Sequence, residues 1–537
     1  MTAARRWELR TTAPELAERY VVAGWWTDDT LGSMVADGLA SAGAVDVRVH
    51  SAVRPWAGTI GNVDRAARAL AAALQGDGVG QGDVVALQLP NWVEAAITFW
   101  AAAYLGATVV PVVHFYGPKE IGYILDVTDP AVVVTPDRFG PTDHLAMYEH
   151  LLADRPGVRW LVAAADPGVA LPTRARPLTS LLDGEPLAAL QPVDPAAPAL
   201  VAFTSGTTSN PKGVIHSHRT IGCETRQLEE RMPGGGPPLL VGAPVGHFIG
   251  MLSAFLVPLI RGEPIHMVDA WDPGNVLRLL KEHGLAFGGG ATYFLTSLLD
   301  HPDFTEEHLA HMPTAGLGGS AVPAAVTQRA TNLGITAFRA YGSTEHPSIT
   351  GGSVHDPEAK RLHTDGRPAP GVEIQLTEEG EILSRGPDLC VGYTDPSLTA
   401  QAFDADGWYH TGDVGVLDDD GFLSISDRLS DIVIRGGENI SAQEIEELVL
   451  RVPGVAEVAV VAAPDERLGE HAAAILRIVG ESPAPSLDDL RAHLAGAGLA
   501  KQKWPESLYV VPDFPRTASG KIQKFKVRQQ LRDGELA

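Results

Sequence analysis

Short apolar runs alternate with longer amphipathic stretches through most of the chain. Residues 84–89, 131–135, 160–164, 199–203 and 264–268 are rich in β-branched and aliphatic side chains and have the length of buried strands. Helical patterns such as 63–74 fall between them, and this alternation predicts parallel α/β layers. The run 95–113 is almost wholly apolar and raises the question of a membrane span. Gly106 and Pro111 interrupt it and β-branched residues crowd its second half, so a buried helix over 92–105 followed by a strand over 108–113 is the better reading. After Gly371 the texture changes. Residues 372–376, 381–384, 415–417 and 422–426 read as short strands joined by turns such as Asp418-Asp419-Asp420-Gly421, which predicts an antiparallel β-subdomain over about 371–428. A small α/β piece begins near Asp431, with helices at 442–451 and 486–494 and strands at 455–462 and 507–511. The Pro/Ala-rich stretches 166–176 and 191–198 read as loops, as does 234–238. The expected fold class is α/β: a large N-terminal domain of parallel α/β sheets plus a β-subdomain, residues 1–428, and a small C-terminal α+β domain, residues 431–537.

A length of 537 residues supports two or more domains, and 45% apolar with 20% charged residues indicates a globular protein. The net charge of -25 argues against a nucleic-acid partner, because phosphate backbones need a basic surface. An anionic substrate would have to be captured by local donors. Cys223 and Cys390 stand far apart without zinc or C-x-x-C spacing, and the first ten residues lack an apolar signal core; a reducing cytoplasm is expected. The glycines of 76–82 have the wrong spacing for a dinucleotide fingerprint and read as a turn.

The densest chemistry lies in Thr204-Ser205-Gly206-Thr207-Thr208-Ser209-Asn210-Pro211-Lys212-Gly213, which follows the predicted strand 199–203. Glycines let backbone N–H groups approach phosphate oxygens, hydroxyls add donors and a lysine adds a point charge, so the loop can wrap a polyphosphate. It is not a Walker A loop, since Lys212 precedes rather than follows the closing glycine. Three further segments follow in order: Tyr341-Gly342-Ser343-Thr344-Glu345; Trp408-Tyr409-His410-Thr411-Gly412-Asp413, leading through Asp427-Arg428 to Arg435-Gly436-Gly437-Glu438-Asn439; and Pro515-Arg516-Thr517-Ala518-Ser519-Gly520-Lys521.

Together these four motifs resemble the core motifs of the acyl-adenylate-forming superfamily, which includes acyl-CoA synthetases, adenylation domains and luciferases. The resemblance spans about residues 31–531. It implies that Thr204, Ser205, Gly206, Thr207, Thr208 and Lys212 hold the β- and γ-phosphates of ATP, with Ser209 standing where a glycine is usual. Gly318, Gly319 and Ser320 would lie along the adenine, Tyr341 would stack on it beside Gly342, and Thr344 would donate to the α-phosphate. Glu345 would be the Mg2+ ligand, Asp413 and Arg428 would contact the ribose, and Lys521 would be the catalytic lysine of adenylation. His247 would lie beside the acyl carboxylate. Arg435, Gly436 and Gly437 would face the large domain during thioester formation. The small domain would be mobile, turning at a hinge over about 429–431, where Ser430 replaces the usual charged residue.

With 16 residues after Lys521 and no carrier domain, free coenzyme A is the expected acceptor. Amino-acid-adenylating relatives place an aspartate for the α-amino group after the motif that Pro244-Val245-Gly246-His247 resembles; no acid follows it here, so the resemblance implies a plain carboxylate. Tyr293, Phe294, Gly316 and Gly318 fall where relatives line the acyl pocket, and the small residues Gly288-Gly289-Gly290-Ala291 would leave room for a bulky acyl group. His216 and His218 are weak metal candidates, read here as helix-start residues. The expected activity is ATP-dependent activation of a fatty, cyclic or aromatic carboxylic acid to its CoA thioester. Two alternatives stand beside it: an acyl-AMP ligase serving a carrier protein, and a non-catalytic nucleotide-binding protein. The acid, the pathway and the oligomeric state, with a homodimer as the candidate, are left open.

Overall fold

The computed structural model of the chain describes residues 7–166, 168–204, 211–231, 235–319, 322–429, 431–435, 438–465, 468–480, 482–517 and 520–536. The stretch that raised the membrane question becomes the helix Val93–Leu105, buried at all thirteen positions, and the strand Thr108–Pro111. An all-round apolar helix of this length belongs in a protein core. Among the described residues no helix is long and apolar enough to cross a membrane.

That helix packs on an eight-stranded sheet with the order Gly392–Tyr393, Lys212–Ser217, Pro198–Thr204, Thr108–Pro111, Val84–Leu87, Val132–Pro136, Arg159–Ala163, Ala175–Pro177. The six strands from Pro198–Thr204 onward run parallel, five of them on the predicted apolar runs; the sixth, Ala175–Pro177, is half-buried to exposed and overlaps the stretch 166–176 read as a loop, which carries no apolar run to mark it. The two strands at one end of the sheet are antiparallel: Lys212–Ser217 folds back on Pro198–Thr204, and the edge strand Gly392–Tyr393 pairs with Lys212–Ser217. The sheet is therefore mixed, and Lys212–Ser217 is a strand that the sequence pattern does not show. This places His216 inside a strand, whereas His218 does open the helix His218–Arg231.

A second sheet joins Gly289–Gly290, Thr314–Gly318 and Thr336–Tyr341 in parallel, with Thr350–Gly351 and Arg367–Pro368 antiparallel at its edge. A third holds Leu240–Val241, Ile265–Val268, Asp46–His50 and Trp56–Thr59. The antiparallel meander expected after Gly371 is present as Glu373–Leu376, Glu381–Arg385, Tyr409–Leu417 and Leu423–Arg428. The C-terminal part has its own sheet, in which Val455–Asp465 and Gly469–Ile478 form a long hairpin and Ser507–Val510 runs parallel to the latter. The strand Gly469–Ile478 is absent from the sequence reading. This part meets the meander through polar contacts: the Ser441 hydroxyl donates to the Ser426 carbonyl at 3.1 Å, and Gln443 Nε2 donates to the Ile425 carbonyl at 3.3 Å.

Candidate functional site

The strand Thr336–Tyr341 alternates half-buried and buried positions and delivers Tyr341 to its buried end. The Tyr341 hydroxyl donates to Asp413 Oδ2 at 2.7 Å, and Arg428 Nε donates to Asp413 Oδ1 at 2.7 Å. Asp413 and Arg428 are cross-strand partners in the hairpin Tyr409–Leu417/Leu423–Arg428, so their pairing follows from strand register. Each carboxylate oxygen keeps a lone pair for a further donor. Burial, and then the charge of Asp413, pushes the Tyr341 phenol well above its ordinary value, so it remains a donor.

The chain then turns sharply. A Cβ on Gly342 would sit 1.9 Å from the Pro347 carbonyl oxygen, so only glycine fits there. Ser343 N donates to the His346 carbonyl at 3.0 Å and closes the turn. Its tip is gripped from three sides. His216 Nε2 lies 2.7 Å from the Thr344 carbonyl, which makes Nε2 the protonated nitrogen, and Nδ1 lies 3.2 Å from the Thr220 hydroxyl. Burial pushes His216 down to about 4, so it is neutral near pH 7. Cys390 N donates to the Glu345 carbonyl at 2.8 Å, and the Tyr393 hydroxyl donates to Glu345 Oε1 at 2.8 Å. Behind the turn His346 Nε2 lies 3.2 Å from Asp388 Oδ1, both side chains fully buried. Burial alone would raise the Asp388 carboxyl, but His346 and its hydrogen bond hold it below the ordinary range.

Lys521 reaches this cluster from the C-terminal part. Thr517 N donates to the Lys521 carbonyl at 2.7 Å, and Lys521 N donates to Thr517 Oγ1 at 3.1 Å, forming a turn. The lysine stem passes Gly319, with Cε 3.8 Å from where a Cβ there would sit. Burial, and then the Arg428 guanidinium, pushes the ammonium down to about 8, while Asp413 and Glu345 pull it back up. His247 flanks the N-terminus of the helix Phe248–Phe255, and burial and then the charge of Lys521 push its imidazole down to about 4.

Tyr341, Thr344, Glu345, Asp413, Arg428, Gly319, His247 and Lys521 thus converge from separate segments. Gly318 ends its strand in register with Ala340, one residue before Tyr341. Thr204 and Lys212 are register partners on either side of residues 205–210. Ser205, Gly206, Thr207, Thr208 and Ser209 lie outside the described residues, as do Ser320, Ser430, Gly436 and Gly437. Arg435 is not brought to the cluster: its Nε donates to Glu506 Oε1 at 2.6 Å within the C-terminal part. The small residues expected to leave acyl space have another explanation in part. A Cβ on Gly289 would sit 2.0 Å from the Gly316 carbonyl oxygen, and one on Gly316 would lie 3.1 Å from the Phe338 ring, so close strand packing uses that space. Sequence reasoning missed Tyr393, His216 in its gripping role, and the His346–Asp388 pair. Tyr393 sits on a two-residue strand, a signal too short to detect; a histidine four residues after the loop lysine was the one clue available.

Among the described residues no group of three or more His, Cys, Asp or Glu could hold a metal. Mg2+ shared with substrate phosphates needs only one or two carboxylates. Glu345 is a hard oxygen donor with no salt bridge to a cation among the described residues, and this donor fits such an ion.

The fold and this cluster define an adenylate-forming type of enzyme, and the chain belongs to the AMP-binding enzymes: residues 52–394 match that family, and residues 444–521 match the AMP-binding enzyme C-terminal domain. Within it the chain is an enzyme of the AMP-forming CoA ligase family. It is 32% identical over 486 residues to the medium-chain fatty-acid–CoA ligase of Escherichia coli, covering 88% of this chain and 86% of that protein. It is 35% identical over 477 residues to a methyl-dioxo-octahydroindenyl-propanoyl:CoA ligase of Rhodococcus jostii, covering 86% of this chain and 92% of that one. The crystal structure of ATP-bound MatB from Rhodopseudomonas palustris superposes with a TM-score of 0.83 at 26% identity, covering 94% of this chain and 99% of the other.

Proposed function

We propose that this enzyme joins a fatty, cyclic or aromatic carboxylic acid to ATP as an acyl-AMP, releasing pyrophosphate, and then passes the acyl group to coenzyme A, releasing AMP. The observation that carries the reading is the meeting of Lys521 with Tyr341–Asp413–Arg428 and Glu345 around one buried point. Tyr341 offers an aromatic face to adenine, and the free lone pairs of Asp413 accept from the ribose hydroxyls. The loop from Thr204 to Lys212 cradles the β- and γ-phosphates. Thr344 donates to the α-phosphate, and Glu345 would hold Mg2+, which supplies charge neutralisation at the phosphates. The Lys521 ammonium bridges the attacking carboxylate and the α-phosphate, where negative charge accumulates in the transition state. His247, being neutral, can orient the carboxylate by a hydrogen bond without cancelling the charge that makes it a nucleophile.

The large domain in this reading is 1–428 with a β-subdomain over about 371–428, and the small domain is 431–537, turning at 429–431 to bring Arg435-Gly436-Gly437 to the acceptor. Asp431 supports this placement, because its carboxylate accepts from Arg528 at 2.9 Å and lies 3.8 Å from Lys524, both on the C-terminal side. A cytoplasmic setting fits two buried free thiols, Cys223 and Cys390. The fatty-acid and fused-ring acids named for the Escherichia coli and Rhodococcus jostii relatives motivate the substrate class. The test is carboxylate-dependent exchange of pyrophosphate into ATP across short, medium, long, cyclic and aromatic acids, followed by mass detection of the thioester on adding CoA. Exchange with no acid overturns the proposal; exchange without thioester moves the acceptor from CoA to a carrier protein.

A further inference from the structure

Tyr293 lies in the first turn of the helix Thr292–Leu299 and is 37% exposed. Gly520 and Arg516, beside Lys521 in the C-terminal part, lie against it. Gly520 has φ +80°, and a Cβ there would sit 3.0 Å from Tyr293 Cβ, 3.1 Å from Cδ1 and 3.2 Å from Cγ. The guanidinium carbon of Arg516 stands 5.5 Å from the centre of the same ring. A cation over a tyrosine face is attractive, and more so as it loses water.

Arg516 is braced from its own side. Arg516 donates to Glu457 at 2.6 Å, to Asp513 at 3.1 Å and to the Gly520 carbonyl at 3.2 Å, all within the C-terminal part. Gly520 N donates to the Thr517 carbonyl at 3.0 Å. These bonds hold Arg516 and Gly520 to each other, and Tyr293 meets both. Such a seat is needed because burying the Lys521 ammonium opposes docking of the turn.

We propose that Tyr293 is the seat on the large domain for the Lys521 turn, a positioning residue that sets the rate of adenylation and is silent in acyl transfer to coenzyme A. The proposal rests on the reading of Lys521 as the adenylation cation. It reassigns Tyr293 from the acyl wall to the domain contact, and the ring rather than the hydroxyl makes the contacts.

The experiment uses the full-length enzyme and measures carboxylate-dependent pyrophosphate exchange separately from thioester formation with supplied acyl-AMP and CoA. Lys521→Ala is the reference and should lower exchange by about 10²–10³-fold, with thioester formation retained. Tyr293→Ala should lower the exchange kcat by about 10²-fold, the order expected for a displacement near 1 Å, with carboxylate KM and thioester formation near parental values. Tyr293→Phe should restore most of the exchange rate. Gly520→Ala, which wedges the same contact from the other side, should give the same split, and the double variant should be no worse than the weaker single one. Tyr293→Ala that raises carboxylate KM at unchanged kcat returns the residue to the acyl wall and overturns the proposal. Equal loss of both half-reactions overturns it as a general structural effect. Parental exchange in Lys521→Ala overturns the reading of Lys521 and the seat with it, whereas an intact Lys521 effect beside a silent Tyr293→Ala overturns the seat alone.

Discussion

Lys521 brings a positive charge into a buried site, and burial together with the neighbouring Arg428 lowers its titration to about 8 from an ordinary lysine value of about 10.4. The sign follows directly. Below about pH 8 the ammonium is present and, in its proposed role, would stabilise the transition state; above it the charge is lost. kcat/KM for adenylation, which reports the free enzyme, should therefore fall by about tenfold per pH unit above that point. Bound triphosphate favours the charged form, so the kcat profile should bend at higher pH. Lys521→Arg, which stays charged, should remove the alkaline limb even if its plateau is lower. A parental alkaline limb in that variant would assign the titration to another group. Tyr393 offers a second test. It holds one oxygen of Glu345, which in the proposed reading would hold Mg2+, and removing a partner that orients a metal ligand typically weakens metal binding by roughly 10–100-fold. Tyr393→Phe should raise the magnesium concentration for half-maximal exchange by about tenfold; an unchanged titration would detach Tyr393 from the metal site.

At the level of elements, the helix Val93–Leu105 shows how pattern and packing agree. Trp100 is fully buried, and its indole Nε1 donates to the Phe255 carbonyl at 3.2 Å, next to a Phe99–Phe255 contact of 5.8 Å between ring centres. Trp100→Ala should cost about 3–5 kcal/mol, from lost burial and the cavity left behind. Urea unfolding checks it, and a loss below about 1 kcal/mol would mean that neighbouring residues collapse into the space. The central parallel strands were legible because both of their faces are buried and they read as unbroken apolar runs, whereas the edge strand Ala175–Pro177, half-buried to exposed, reads as a loop. Lys212–Ser217 was not legible, since lysine, histidine and serine break the run. They are tolerated because the strand lies toward the sheet edge, where His216 has Thr344 and Thr220 as partners. In Gly469–Ile478 the three alanines 472–474 mask a strand identity that its ten-residue register with Val455–Asp465 enforces.

For the whole molecule, the decisive question is how one active site serves two half-reactions. Leu429 N donates to the Gly412 carbonyl at 2.9 Å, whereas the Asp431 carboxylate accepts from Arg528 at 2.9 Å, so the residue before Ser430 is tied to the last strands of the large domain and the residue after it to the C-terminal part. Any rotation must then be absorbed within very few dihedral angles. Ser430→Pro fixes φ and removes an N–H, and should leave acyl-AMP formation intact while thioester formation collapses. Single-turnover assays of each step check this, and equal retention of both would put the hinge elsewhere, with Asp431 the next position to test. By itself the sequence determined the layered α/β plan, the antiparallel meander and the chemistry of each motif, because burial patterns and loop composition are properties of neighbouring residues. Only the tertiary structure decided which groups act together. Tyr341 meets Asp413 across 72 positions, His216 meets Thr344 across 128, and Lys521 lies beside Gly319. Such contacts are set by strand register, domain docking and the exclusion of water, none of which is written in a local stretch of chain.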